Sequence, residues 1–151
     1  VNLMQGVTKA GSGARLRHAG LEKTNYIYEK VVTGYPYIFE NPIAGKTGTT
    51  QNQSDGWFMG MVPNLATGVW VGGEDRAIHF ENIGYGQGAT MALPIWANYM
   101  RSLYENPILE ISQEDFLPPE NLNIPIDCEE RVDLNSKEKS KLKTDLEALG
   151  F

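Results

Sequence analysis

Residues 43–72 read IAGKTGTTQNQSDGWFMGMVPNLATGVWVG. This stretch decides the fold. Ile43 to Thr49 has strand character, Gln51-Asn52-Gln53-Ser54-Asp55-Gly56 is a polar loop, and Trp57 to Val62 is a second strand. Pro63 to Gly68 reads as a turn and Val69 to Gly72 as a third strand. Connections this short require antiparallel pairing, because parallel neighbours need a long crossover. Along the second strand Trp57, Met59 and Met61 alternate with Phe58 and Val62. Both faces are apolar, which predicts a sheet covered on both sides.

Working outward, Val1 to Val7 reads as a helix with Leu3, Met4 and Val7 on one face, ended by Gly11-Ser12-Gly13. Residues 14–33 are mixed and polar, a loop with short elements. Downstream, Gly84 to Gly88 is a glycine-rich loop. A helix follows over Met91 to Tyr104, with Pro94 in its first turn. Ala92, Trp96, Tyr99, Met100 and Leu103 form its apolar stripe, and Asn106-Pro107 stops it. Prolines at 118, 119 and 125 then favour extended chain, and Val132 to Gly150 returns to helix. The expected organisation is a body over residues 1–106 and an appendage over 107–151. The expected fold class is α+β: an antiparallel sheet from residues 43–73 with helices on its faces, then a tail with a terminal helix.

Composition narrows the function classes. The 151 residues carry a net charge of −6, with 41% apolar and 21% charged side chains. A packed core is within reach, and no block of cations marks the first 130 positions. Non-specific nucleic-acid binding, which needs a cationic footprint, is excluded as an expectation. The single cysteine, Cys128, cannot form an internal disulfide, and His18 and His79 lack ligand-like spacing. No metal and no cofactor is expected. No run approaches the length of a membrane span, and no signal peptide is visible. The chain opens at Val1 in the middle of helical pattern. A preceding segment is therefore expected, with any membrane anchor inside it.

The chemistry centres on Ala44-Gly45-Lys46-Thr47-Gly48-Thr49. A phosphate loop would need G-x-x-x-x-G-K-[ST] ahead of a helix. Here Glu40 stands where the first glycine belongs, and a polar loop and a strand follow Thr47. A carboxylate there repels phosphate, so that reading is rejected. Gly84 to Gly88 lacks the dinucleotide spacing and a leading strand; close backbone packing near the helix start explains it better. Lys46-Thr47-Gly48 instead matches the third of three motifs, S-x-x-K, S-x-N and K-T-G, of penicillin-recognising serine acyl-transferases. That chemistry needs a strand edge for an extended substrate, a cation for its carboxylate, and a backbone N–H for an oxyanion hole.

The flanking blocks sharpen the match. They are Asp55-Gly56-Trp57-Phe58-Met59-Gly60, then Gly68-Val69-Trp70-Val71-Gly72, then Ala92-Leu93-Pro94-Ile95-Trp96. Upstream, Gly11-Ser12-Gly13-Ala14-Arg15 is similar to a Gly-Thr-Gly-x-Arg segment. In order, these blocks resemble the C-terminal part of the transpeptidase domain of class A, bifunctional penicillin-binding proteins, over roughly residues 1–106. The resemblance implies a partial β-lactamase-like sandwich and an extracytoplasmic enzyme at the periplasmic face of the inner membrane. Its serine would attack the D-Ala-D-Ala end of a peptidoglycan stem peptide, expel D-alanine, and pass the acyl group to a neighbouring stem. β-Lactams would acylate the same serine. It further implies catalytic roles for Lys46, Thr47 and Gly48. Thr49 would bind the substrate carboxylate through its hydroxyl and lend its N–H to the oxyanion hole.

The departure from the pattern is equally plain. Ser12 is followed three residues later by Arg15, not lysine, and no S-x-N occurs. Ser136 to Lys139 and Ser140 to Lys143 match S-x-x-K, but they follow K-T-G and lie in a lysine-rich solvated helix. Such a helix cannot shield a lysine enough to lower its pKa. The nucleophile and second motif are expected upstream of Val1, leaving this chain inactive alone, and β-lactams would bind only with that upstream part. A rival reading is a catalytically dead module that keeps the strand to bind peptide or an envelope partner; a hydrolase is a weaker third. Arg15 and Arg17 either line the site or are loop cations. Gln51, Asn52 and Asp55 either meet the acceptor stem or do turn chemistry. Trp57, Trp70 and Trp96 are either substrate platforms or core residues, and core packing is the expectation. An interrupted sheet would also expose an edge able to pair non-natively with a second copy.

Overall fold

The computed structural model describes residues 1–17 and 37–120. The helix expected over 132–150, Cys128, His18 and the two S-x-x-K matches lie outside the described residues. The compact unit runs from Val1 to Pro119. Helix α1 spans Asn2–Ala10, strands β1, β2 and β3 span Ala44–Thr49, Asp55–Val62 and Leu65–Gly72, and helices α2 and α3 span Ile83–Gly86 and Gly88–Tyr104. The strands form one antiparallel sheet in the order β1-β2-β3, so the fold is α+β as the alternation predicts.

The register fixes which side chains share a face. Thr47 lies opposite Phe58, and Phe58 opposite Val69. On that face Gly56, Phe58, Gly60 and Val62 are buried under α3. Trp96 of α3 sits edge-on to Phe58, with ring centroids 5.1 Å apart, and its Nε1–H donates to Thr67 Oγ1 at 2.7 Å. Gly60 makes this possible. A Cβ there would stand 2.4 Å from the Trp96 indole, closer than any real side chain could tolerate. Leu16, Tyr37, Phe39, Ile43, Leu93 and Met100 complete the core.

The opposite face behaves differently. Trp57, Met59 and Trp70 are 44%, 45% and 46% exposed. Trp57 and Trp70 lean together with centroids 6.4 Å apart. The expectation of a sheet covered on both sides is thus met on one side only among the described residues, and of the three tryptophans only Trp96 belongs to the core. Alternation reports that a strand has two apolar faces; it does not report whether this chain supplies both covers.

Several boundaries differ from those read in the sequence. Val62 pairs with Leu65, so the connection is the two residues Pro63-Asn64, and β3 begins four residues before Val69. Ladder pairing with β2 overrides the weak strand propensity of Leu65 to Gly68. The glycine-rich loop contains the short α2, and α3 starts at Gly88. Pro94 therefore lies inside α3 rather than in its first turn. It withholds the N–H that would reach the Thr90 carbonyl, a defect that burial of Leu93, Trp96 and Ala97 outweighs. On α1 the buried side chain is Thr8, whereas Leu3 is 86% exposed. Tyr99 also leaves its expected stripe and is 45% exposed. The chain after α3 stays on the body. Asn64 Nδ2 donates to Glu110 O at 2.8 Å, and Asn64 Oδ1 accepts from Ser112 N at 2.9 Å.

Candidate active site

Lys46, Thr47 and Gly48 occupy the middle of β1, the edge strand of the described sheet. Thr50 N donates to Asp55 O at 3.1 Å, just beyond the strand ends. Antiparallel ladders alternate bonded and non-bonded pairs. Continuing that alternation makes Gly48–Trp57 and Lys46–Met59 bonded pairs. Thr47 and Thr49 then direct their main-chain N–H and C=O groups away from β2, toward the open edge. Lys46 Nζ confirms the direction: it donates to Thr47 O at 2.7 Å. Ile43 has the same parity, and its carbonyl accepts from Thr8 Oγ1 of α1 at 2.6 Å. Helix α1 therefore covers the edge at its start and leaves it open at the motif.

The side chains divide between the two faces. Lys46 and Gly48 share the open face with Met59 and Trp57, and Lys46 is exposed. Thr47 and Thr49 lie on the α3 side. Thr47 Oγ1 is 2.6 Å from Ser12 Oγ. Thr49 Oγ1 accepts the Gly88 N–H at 3.0 Å, at the first residue of α3. The threonine thus takes a donor that no Gln87 side chain caps, and keeps its own proton to give. The helix N-terminus adds positive potential at this end of β1. Gly88 is required for the approach. A Cβ would stand 2.3 Å from Gly48 O and 2.4 Å from Trp57 O. The close backbone packing expected of this loop is what glycine provides.

The two arginines hold the scaffold. Arg15 Nη1 donates to Ala89 O and to Thr90 Oγ1, both at 3.0 Å, tying the turn after α1 to the start of α3. Arg17 donates to the carbonyls of Phe39 and Asn41, and more weakly to Thr8 Oγ1 at 3.4 Å. Burial lowers the Arg17 guanidinium from its ordinary value, and the Tyr104 phenol partly offsets this. Tyr104 itself is raised by burial, against an Asn41 Nδ2 hydrogen bond at 2.9 Å and the nearby Arg17 charge.

The hairpin loop after the motif does turn chemistry. Asp55 accepts from Trp70 Nε1 at 3.0 Å and from the Thr50 and Ser54 hydroxyls at 3.2 Å each. Asn52 and Gln53 both take left-handed backbone, with φ of 61° and 52°. Gln51 and Asn52 are exposed at the tip. His79 is exposed, its Nδ1 3.0 Å from Phe80 O. Among the described residues no cluster of His, Cys, Asp and Glu is arranged to hold a metal ion. No helix among them is long and apolar enough to cross a membrane.

The sequence brought Lys46 to Thr49 together but missed Ser12, Thr8 and Gly88 as their neighbours. Ser12 and Thr8 are each 35 residues from their strand partners, Thr47 and Ile43, and no local pattern signals such a contact.

Comparison with known proteins bears on this site. No family model matches the chain. It is 39% identical over 99 residues to penicillin-binding protein 1A of Aquifex aeolicus, covering 63% of the chain and 12% of that relative. Against penicillin-binding protein 1A of Pseudomonas aeruginosa it is 33% identical over 128 residues, or 83% of the chain and 12% of the relative. The Neisseria meningitidis protein of the same name is 46% identical over 59 residues, or 39% of the chain and 7% of the relative. The matched span is thus a small part, between 7% and 12%, of each of these relatives. These matches place the chain among the class A penicillin-binding proteins.

Proposed function

We infer that β1 is the K-T-G strand of a peptidoglycan D,D-transpeptidase, a serine acyl-transferase that cross-links stem peptides. The observation that carries this reading is the edge of β1 at the motif, which no described strand covers. Thr47 C=O and Thr49 N–H face outward on it, where an extended peptide can add as a further strand. Lys46 supplies positive charge for a substrate carboxylate. Thr47 and Thr49 offer hydroxyls to the same carboxylate. Gly48 leaves the strand face clear for the acyl group. When a serine attacks the penultimate D-alanine carbonyl, the Thr49 N–H stabilises the oxyanion. Collapse expels D-alanine, and a stem-peptide amine then takes the acyl group from the serine.

The same reading makes residues 1–106 the C-terminal part of a β-lactamase-like transpeptidase domain. Nucleophile, its lysine and the S-x-N motif come from sequence upstream, as does a membrane anchor. The enzyme works outside the cytoplasm, and β-lactams acylate it only when that upstream part is present. Labelling with a fluorescent penicillin tests this. The full-length protein should label, and Lys46→Ala should slow labelling by about 100-fold, the scale of losing one electrostatic contact to the transition state. The 151-residue chain alone should stay dark. An adduct on the isolated chain refutes the missing-motif reading. A dark full-length protein favours a peptide-binding module that keeps the strand without the chemistry.

A further inference from the structure

Ser12 lies outside the motif, yet its hydroxyl meets the motif threonine. The Ser12 Oγ to Thr47 Oγ1 separation is 2.6 Å, between residues 35 apart in sequence. The support beneath Ser12 is firm. The N–H groups of its two neighbours, Gly11 and Gly13, both donate to Val7 O, at 3.1 and 3.0 Å. That pair of bonds fixes the peptide carrying Ser12 to the end of α1. The helix is in turn fastened to the residue just before β1 by the buried Thr8 hydroxyl on Ile43 O. Ser12 itself is exposed.

We propose that Ser12 is a positioning residue that sets the direction of the Thr47 hydroxyl proton for a substrate carboxylate. This rests on the transpeptidase reading. A hydroxyl has one proton to donate and two lone pairs. If Thr47 donates to Ser12, a carboxylate arriving at Thr47 meets lone pairs and is repelled. If Ser12 donates to Thr47, the Thr47 proton is free to point at the carboxylate. The second arrangement forms a chain, Ser12 O–H to Thr47 O–H to carboxylate, whose bonds polarise one another. A charged acceptor at its end selects that direction. No covalent bond changes in this step, and no proton leaves its oxygen.

The test uses the full-length protein and two probes, benzylpenicillin and its methyl ester, which masks the carboxylate. The second-order acylation rate constant is measured for wild type, Ser12→Val and Ser12→Thr. Valine and threonine have nearly the same shape, so their difference isolates the hydroxyl. Ser12→Val should slow acylation by benzylpenicillin about tenfold, as expected for weakening a hydrogen bond to a charged group, and leave the ester within about twofold. Ser12→Thr should restore the wild-type rate. Equal losses with acid and ester, or no loss with either, overturn the proposal while leaving the transpeptidase reading intact. A wild type that neither probe acylates overturns both. Thermal midpoints of the three proteins should coincide, since Ser12 is exposed.

Discussion

The two faces of the sheet carry side chains of similar size and meet different fates. On one, Phe58 and Val62 are sealed beneath Trp96, Leu93 and Met100. On the other, Trp57, Met59 and Trp70 remain almost half exposed. The motif strand β1 threads between them. Its lysine stands with the open face and its threonines with the closed one. The closed face is therefore the part that folds and stiffens the site from within this chain. The open face is where the motif meets whatever lies outside it.

That contrast can be broken in order of severity. Trp96→Ala should destabilise the protein by about 3–5 kcal/mol, because it empties the centre of the closed face. Met59→Ala, on the open face, should cost less than about 1 kcal/mol. Urea unfolding measures both, and comparable losses would erase the distinction. Gly88→Ala comes next. Its methyl must displace the backbone of β1 or β2, which should cost about 1–3 kcal/mol. It should also slow penicillin acylation of the full-length protein, by pulling the α3 amide away from Thr49. A stable Gly88→Ala protein with normal acylation would show that the approach of α3 to the strand is dispensable.

The mildest probe is pH. Burial pushes the Tyr37 phenol up to about 12, against the nearby Arg101 and Arg15 charges. Its folded value lies above the ordinary 10.0, so the unfolded chain loses this proton first as pH rises. The Tyr37 contribution is intact below pH 10 and drains away between about 10 and 12. Tyr37→Phe should flatten that part of the stability profile. An unchanged slope would mean that the phenol is not held protonated by the closed core.

Much of this was legible in residues 43–72. Alternation of Trp57, Phe58, Met59 and Val62 assigned them correctly to two faces, and the short connections required antiparallel order. Lys46 to Thr49 were found as a unit because the motif is contiguous. What stayed hidden was non-local. Thr8 reads as an ordinary helix residue until its hydroxyl meets the Ile43 carbonyl. Leu3 looks like core because helical period marks a face without saying what lies against it. Pro94 looked like a helix start because nothing local reveals that Thr49 receives the Gly88 amide three residues before Met91. The exposure of Trp57 and Trp70 is invisible in sequence for the same reason, since large aromatic residues say only that a cover is wanted.

The unequal placement of the three tryptophans gives the protein a built-in optical marker. Trp96 is fully buried, whereas Trp57 and Trp70 stand in partial contact with solvent on the same face of the sheet as Lys46. The first should emit at short wavelength and resist quenching by acrylamide; the other two should emit further to the red and quench readily. Anything that settles over the lysine face would shift only the second pair. Occupancy next to the motif can then be followed in solution without attaching a dye, and separated from unfolding, which alone would redden the emission of Trp96.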